Sequence, residues 1–147
     1  MRLFPMLSAV TLVAVPLAAA AAEQGIQVWS AGSLQWQESR PGGTQRSFLE
    51  GDPMGSSGGV VTYAFHMPAG AWFPPHVHAT TARVFVLKGA LLLGEGDVED
   101  HSRVKRVEAG EVVLVPGSLP HYEGADGDTI IIGVATSPFN TRFIEKH

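Results

Sequence analysis

Residues 68–89 read PAGAWFPPHVHATTARVFVLKG, and residues 110–124 read GEVVLVPGSLPHYEG. The first stretch sets His76 and His78 one residue apart after two prolines, then runs through Val84-Phe85-Val86-Leu87-Lys88 to Gly89. On an extended strand, residues i and i+2 point to the same face. Both imidazoles can therefore enter one cavity and meet one ion. His121 comes 43 residues after His78, beyond the run Glu111–Val115 and a proline-bounded turn. Neutral imidazole is the commonest metal ligand, and three with an open position suit iron, manganese, zinc, nickel or copper. Taken alone, an HxH pair is weak evidence and describes two exposed loop histidines at least as well.

Outward from these stretches the chain is punctuated by glycine and proline. Strands are expected near Ile26–Trp29, Gln45–Glu50, Val60–Met67, Val84–Lys88, Ala90–Leu93, Val104–Glu108, Glu111–Val115 and Thr129–Ala135. Many short strands with regular turn signals indicate a sandwich or barrel. No amphipathic helical segment, linker or repeat interrupts them. Alternation gives Val60–Met67 a large apolar face of Val61, Tyr63, Phe65 and Met67, with His66 on the other side as a surface or edge histidine. It also puts Ala82, Val84 and Val86 on one face and Arg83, Phe85 and Leu87 on the other. Tyr63, Trp72 and Phe73 are expected to line the interior or its mouth, and Tyr122 to face away from His121. The acidic stretch GEGDVED at 94–100 reads as a solvated loop.

The chain has 147 residues, 45% hydrophobic and 16% charged, which suits one globular domain. It has no cysteine, so a disulfide scaffold, a thiolate zinc finger and a cysteine nucleophile are excluded. A net charge of −4 provides no broad basic face for nucleic acid. No GxSxG elbow is present, and Ser118 near His121 lacks a third partner, so a serine hydrolase is not expected. Residues 1–22 run from Arg2 through an apolar stretch to small alanines before Glu23. That is the order of a secretory signal, too short and proline-broken for a membrane anchor. The expectation is a periplasmic or secreted chain of residues 23–147, with no stable membrane anchor after cleavage.

Gly70, five residues, His76-x-His78, then Gly89 resembles the first motif of the cupin superfamily. Gly110, five residues, Pro116, and His121 five positions further resemble the second, and the segment LEGDP at 49–53 is similar to one in small exported bacterial cupins. The resemblance spans residues 45–138. It implies an all-β, double-stranded antiparallel β-barrel of jelly-roll type. It also implies a metal held inside by the HxH pair, a first-motif glutamate and the second-motif histidine. The sequence departs from that pattern where the glutamate should stand: the position is Ala82, or Arg83 with a one-residue slip. Ser118 occupies the usual place of a glycine, because Gly117 follows Pro116 directly.

Three histidines without the glutamate are similar to the iron centres of some cupin dioxygenases, cysteine and gentisate dioxygenase among them. Glu123 shares a face with His121 if that strand stays extended, and offers a fourth ligand or a base; the alternative is a solvated carboxylate at the barrel mouth. The expected function is an exported small-molecule cupin that binds a divalent transition metal through His76, His78 and His121, with dioxygenase chemistry open to it. The alternative is a non-catalytic ligand-binding or sensing cupin that has lost its metal; a purely structural dimer is a third reading. The resemblance also implies a homodimer. N-terminal sequencing of protein from the extracytoplasmic fraction should begin at Ala21 or Glu23; intact Met1 in a membrane-embedded species would defeat the signal reading.

Overall fold

The computed structural model describes residues 25–38, 42–56 and 58–145, so the expected signal at 1–22 lies outside the described residues. A short 3-10 turn at Ala31–Ser33 precedes eleven strands: β1 Gln37–Glu38, β2 Gln45–Glu50, β3 Val60–Met67, β4 Trp72–His78, β5 Ala82–Lys88, β6 Ala90–Glu95, β7 Lys105–Glu108, β8 Val112–Val115, β9 His121–Ala125, β10 Thr129–Thr136 and β11 Thr141–Phe143. They form a six-stranded sheet in the order β1-β2-β3-β10-β5-β8 and a five-stranded sheet in the order β11-β4-β9-β6-β7. All the pairings are antiparallel. From β3 onward most successive strands fall in opposite sheets, the winding of a jelly roll.

The ladders define two antiparallel sheets face to face, the two layers of the expected jelly roll, and among the described residues no ladder joins their edges into a closed barrel. The chain itself makes one corner. Only Gly89 separates β5 from β6, which belong to different sheets. Its φ is 73°, and a Cβ there would sit 2.5 Å from Thr129 Oγ1 and 2.7 Å from the Asp128 carbonyl oxygen. Only glycine fits that left-handed bend. Thr129 Oγ1 then ties the sheets beside the corner, accepting from the Ala90 amide at 3.2 Å.

The core lies between the sheets. Val61, Tyr63, Phe65 and Met67 of β3 point inward, as the alternation predicts. So do Ala82, Val84 and Val86 of β5, while Arg83, Phe85 and Leu87 face outward. His66 lies on the outer face, bonded to Gln45 and to Asp128. The acidic loop folds back over β9, where the Tyr122 hydroxyl donates to the Asp100 carbonyl at 2.8 Å.

Several elements differ from the sequence reading. Ile26–Trp29 is not a strand; Ile26 is 98% exposed, because apolar alternation does not supply a neighbouring edge to pair with. In the opposite direction, β4 forms despite Pro74 and Pro75. Its ladder with β9 shifts register between Phe73 and His76, and the two prolines, which cannot donate, sit in that bulge. Trp72 does not line the interior. It lies outside β4, stacked on His101 with ring centroids 3.6 Å apart.

Ser118 adopts φ 63°, the left-handed conformation that glycine accepts freely. Its amide donates to the His78 carbonyl at 2.8 Å, so the strained turn fastens the second histidine motif to the first. Ser118→Gly should raise stability by about 0.5–1 kcal/mol, strain relief outweighing the added unfolded-state entropy. Chemical denaturation of the purified protein would measure it; an equal or lower midpoint would show that Ser118 carries no net strain.

Candidate metal centre

His76 and His121 are opposite residues on β4 and β9, and His78 lies on the same face two positions on. Strict alternation would put Phe73 and His76 on opposite faces. The bulge at Pro74-Pro75 resets the phase, so Phe73, His76 and His78 all face the interior. The three ligand nitrogens lie within 4.8 Å of one another. His76 is fully buried and His121 2% exposed.

Each imidazole is oriented from behind. His76 Nδ1 donates to the Pro74 carbonyl at 2.7 Å, His78 Nδ1 to the Asn140 carbonyl at 3.0 Å, and His121 Nδ1 to the Leu119 carbonyl at 2.8 Å. A carbonyl can only accept, so the proton sits on Nδ1 in all three rings and the Nε2 lone pairs are free. This is how metal-binding histidines are usually held. His76 Nε2 is buried with no hydrogen-bond partner. A buried polar atom without a partner is costly unless something absent from the protein alone completes it. Burial, with the neighbouring imidazole of His121 adding to it, pushes His76 down to about 3; burial pushes His78 down to about 4 and also lowers His121. The three rings are therefore neutral at pH 7, and protons do not compete for their lone pairs there. The donor set fits a divalent transition metal.

Ala82 lines the same cavity and is 1% exposed, whereas Arg83 is exposed on the outside. The wall that would carry a glutamate thus presents a methyl group. Glu123, two residues from His121, also lines the cavity; by surface area it is half-buried. Burial pushes its carboxyl up to about 7. Tyr63 lines the cavity with its ring stacked on Phe139 at 5.0 Å, and burial, chiefly, raises its phenol above the ordinary range. The ring needs Gly133 beneath it, where a Cβ would lie 2.0 Å from the tyrosine.

Arg46 also lines the cavity, a residue that the sequence reading passed over. It lies opposite Phe65 in the β2–β3 ladder, and Phe48 opposite Tyr63, so both share the inward face. The available signal was a cation alternating with an aromatic residue in QRSFLE. Phe65, Phe73, Val84, Val115 and Ile131 supply much of the remaining wall.

Two facing antiparallel sheets, with an HxH pair on one strand and a third histidine opposite it, define a cupin. A family model described as the ChrR cupin-like domain matches residues 24–140, and the chain belongs to that family. Over 72 residues it is 35% identical to germin-like protein 5-1 of Oryza sativa subsp. japonica, a match covering 48% of this chain and 33% of that protein. The chain thus spans about a third of that relative's length. Among solved structures, the polyketide cyclase RemF of Streptomyces resistomycificus is similar with a TM-score of 0.66 at 22% identity, covering 84% of this chain and 88% of that one. A mutant salicylate 1,2-dioxygenase of Pseudoaminobacter salicylatoxidans, in complex with gentisate, is similar with a TM-score of 0.57 at 16% identity, covering 73% of this chain and 30% of that one. These structural likenesses carry the fold; the chemistry rests on the residues of this chain.

Proposed function

We propose that this protein is an exported small-molecule cupin whose cavity binds a divalent transition metal through His76, His78 and His121. The observation that carries the reading is the buried, partnerless Nε2 of His76, facing two further imidazoles oriented the same way. A metal held there would supply Lewis acidity and, if redox-active, electron transfer with oxygen. The chain's own groups do the rest. Nδ1 contacts to backbone carbonyls fix the rings. Apolar walls limit water. Glu123, with its carboxyl raised to about 7, can hold or release a proton near neutrality beside a bound ligand. The dioxygenase reading rests on the three-histidine donor set, and oxygen consumption by the loaded protein tests it. Export rests on the charge–apolar–small order of residues 1–22.

Ala82 favours a second reading, a ligand-binding or sensing cupin without metal. The site lacks both a bond and a compensating negative charge. Titrating metal-free protein with iron, manganese, zinc and nickel separates the two. Ala82→Glu should tighten divalent-metal binding at least about tenfold, the worth of one added charged contact. Arg83→Glu, on the outer face, should leave it unchanged, and His121→Ala should abolish it in both backgrounds. Equal affinity of wild type and Ala82→Glu would remove Ala82 from the ligand position. No binding by either would establish the metal-free reading.

The homodimer has a structural rationale. β8 is an edge strand of the larger sheet. On it Val112 and Leu114 are 57% and 58% exposed, and on the adjoining β5 Leu87 is 61% exposed. A two-fold axis beside β8 would pair two such edges and bury the same apolar residues from both copies. Sedimentation should give twice the chain mass, with Leu114→Glu shifting it to monomer; a concentration-independent monomer of the wild type would refute the dimer.

A further inference from the structure

Arg46 projects from β2 into the cavity of the three histidines. Its Nε is buried and has no hydrogen-bond partner. The guanidinium carbon stands 4.6 Å from the Phe48 ring centroid. Among the described residues no carboxylate forms an ion pair with it; Lys88, Lys105 and Arg106, by contrast, are paired at the surface. Glu123 lines the same cavity, yet it makes no ion pair with Arg46. An exposed arginine can leave its donors to water. At Arg46 Nε water does not reach the atom, so the missing acceptor is a penalty that a ligand can remove.

The fork narrows the ligand class. A planar guanidinium matches a carboxylate with two parallel hydrogen bonds. Around it stand a phenol, Tyr63, and the hydrocarbon of Phe65, Val84 and Ile131. A phosphate would call for several donors converging on one point, and this wall offers one cation. The space open to the centres of water molecules is about 40 Å³, so the occupant is small.

We propose that the cavity takes a small carboxylate with an apolar body, its carboxylate gripped by Arg46 and its other end turned toward the three histidines. The proposal deepens the function given above and rests on that cavity being a ligand site. It also gives the missing glutamate a role. With a methyl at position 82, a cavity holding a divalent metal and Arg46 stays net positive even with Glu123 ionised, and an anionic ligand supplies the charge that the wall at position 82 does not.

Calorimetric titration of the metal-free and the zinc-loaded protein with propionate and benzoate, against propionamide and benzamide, tests it. At least one carboxylate should bind in both forms, and its amide at least about tenfold more weakly. Arg46→Gln should weaken carboxylate binding about 10- to 100-fold in both forms, the range for loss of a charged hydrogen-bonded contact, and Arg46→Lys should retain part of it. Zinc stoichiometry, set by the histidines, reports independently that each variant's site is folded. Undiminished carboxylate binding by Arg46→Gln in the metal-free form, or no carboxylate binding by the wild type, overturns the proposal. Equal Arg46-dependent binding of inorganic phosphate overturns the carboxylate assignment. If the wild type takes up no zinc, the metal reading fails by itself, and the metal-free titration still decides the role of Arg46.

Discussion

Three backbone carbonyls, those of Pro74, Leu119 and Asn140, hold the Nδ1 protons of three histidines and so turn three lone pairs into one space. The site depends on this arrangement. Each carbonyl belongs to a segment whose path is fixed by the fold: the bulge of β4, the turn before β9 and the turn before β11. An imidazole that rotated would lose its backbone bond inside a poorly solvated cavity, where an unsatisfied donor is expensive. Orientation is thereby set before any ligand arrives, which is the condition for a preorganised metal site.

The backbone irregularities serve the same end. Pro74 and Pro75 interrupt the ladder between β4 and β9 and shift the alternation by one, bringing His76 to the face that Phe73 already occupies. Ser118 holds a left-handed turn so that its amide reaches the His78 carbonyl. Gly89 lets β5 leave one sheet and β6 begin in the other without an intervening loop. Each departs from ideal strand geometry, and each lies beside the histidines or at the corner that keeps the two sheets facing.

The cavity joins two kinds of wall. On one side are the neutral imidazoles and, on the same strand as His121, a carboxyl whose proton affinity burial has raised toward neutrality; across from them stand a buried phenol and a guanidinium with no ion pair among the described residues. Cupins host many chemistries on one scaffold, so this distribution of charge, more than the fold, distinguishes one member from another.

Much of the architecture was legible in the sequence because it depends on local periodicity. The alternation in Val60–Met67 determined which face of β3 is core, and the alternation in Ala82–Lys88 determined that Ala82 faces inward and Arg83 outward. The spacing of the HxH motif and of His121 named the histidines that converge. What periodicity could not decide was whatever depends on a partner strand. Ile26–Trp29 has the composition of a strand and no edge to join, while the proline-rich segment around His76 became a strand because β9 and β11 flank it. Trp72 turned outward to meet His101, a residue on a distant loop. The open edges of the two sheets, the carbonyls behind each imidazole and the place of Arg46 in the cavity were likewise decided only by the tertiary structure. Each is a relation between segments far apart in sequence, and a single strand's pattern says which way a side chain points but not what it will meet.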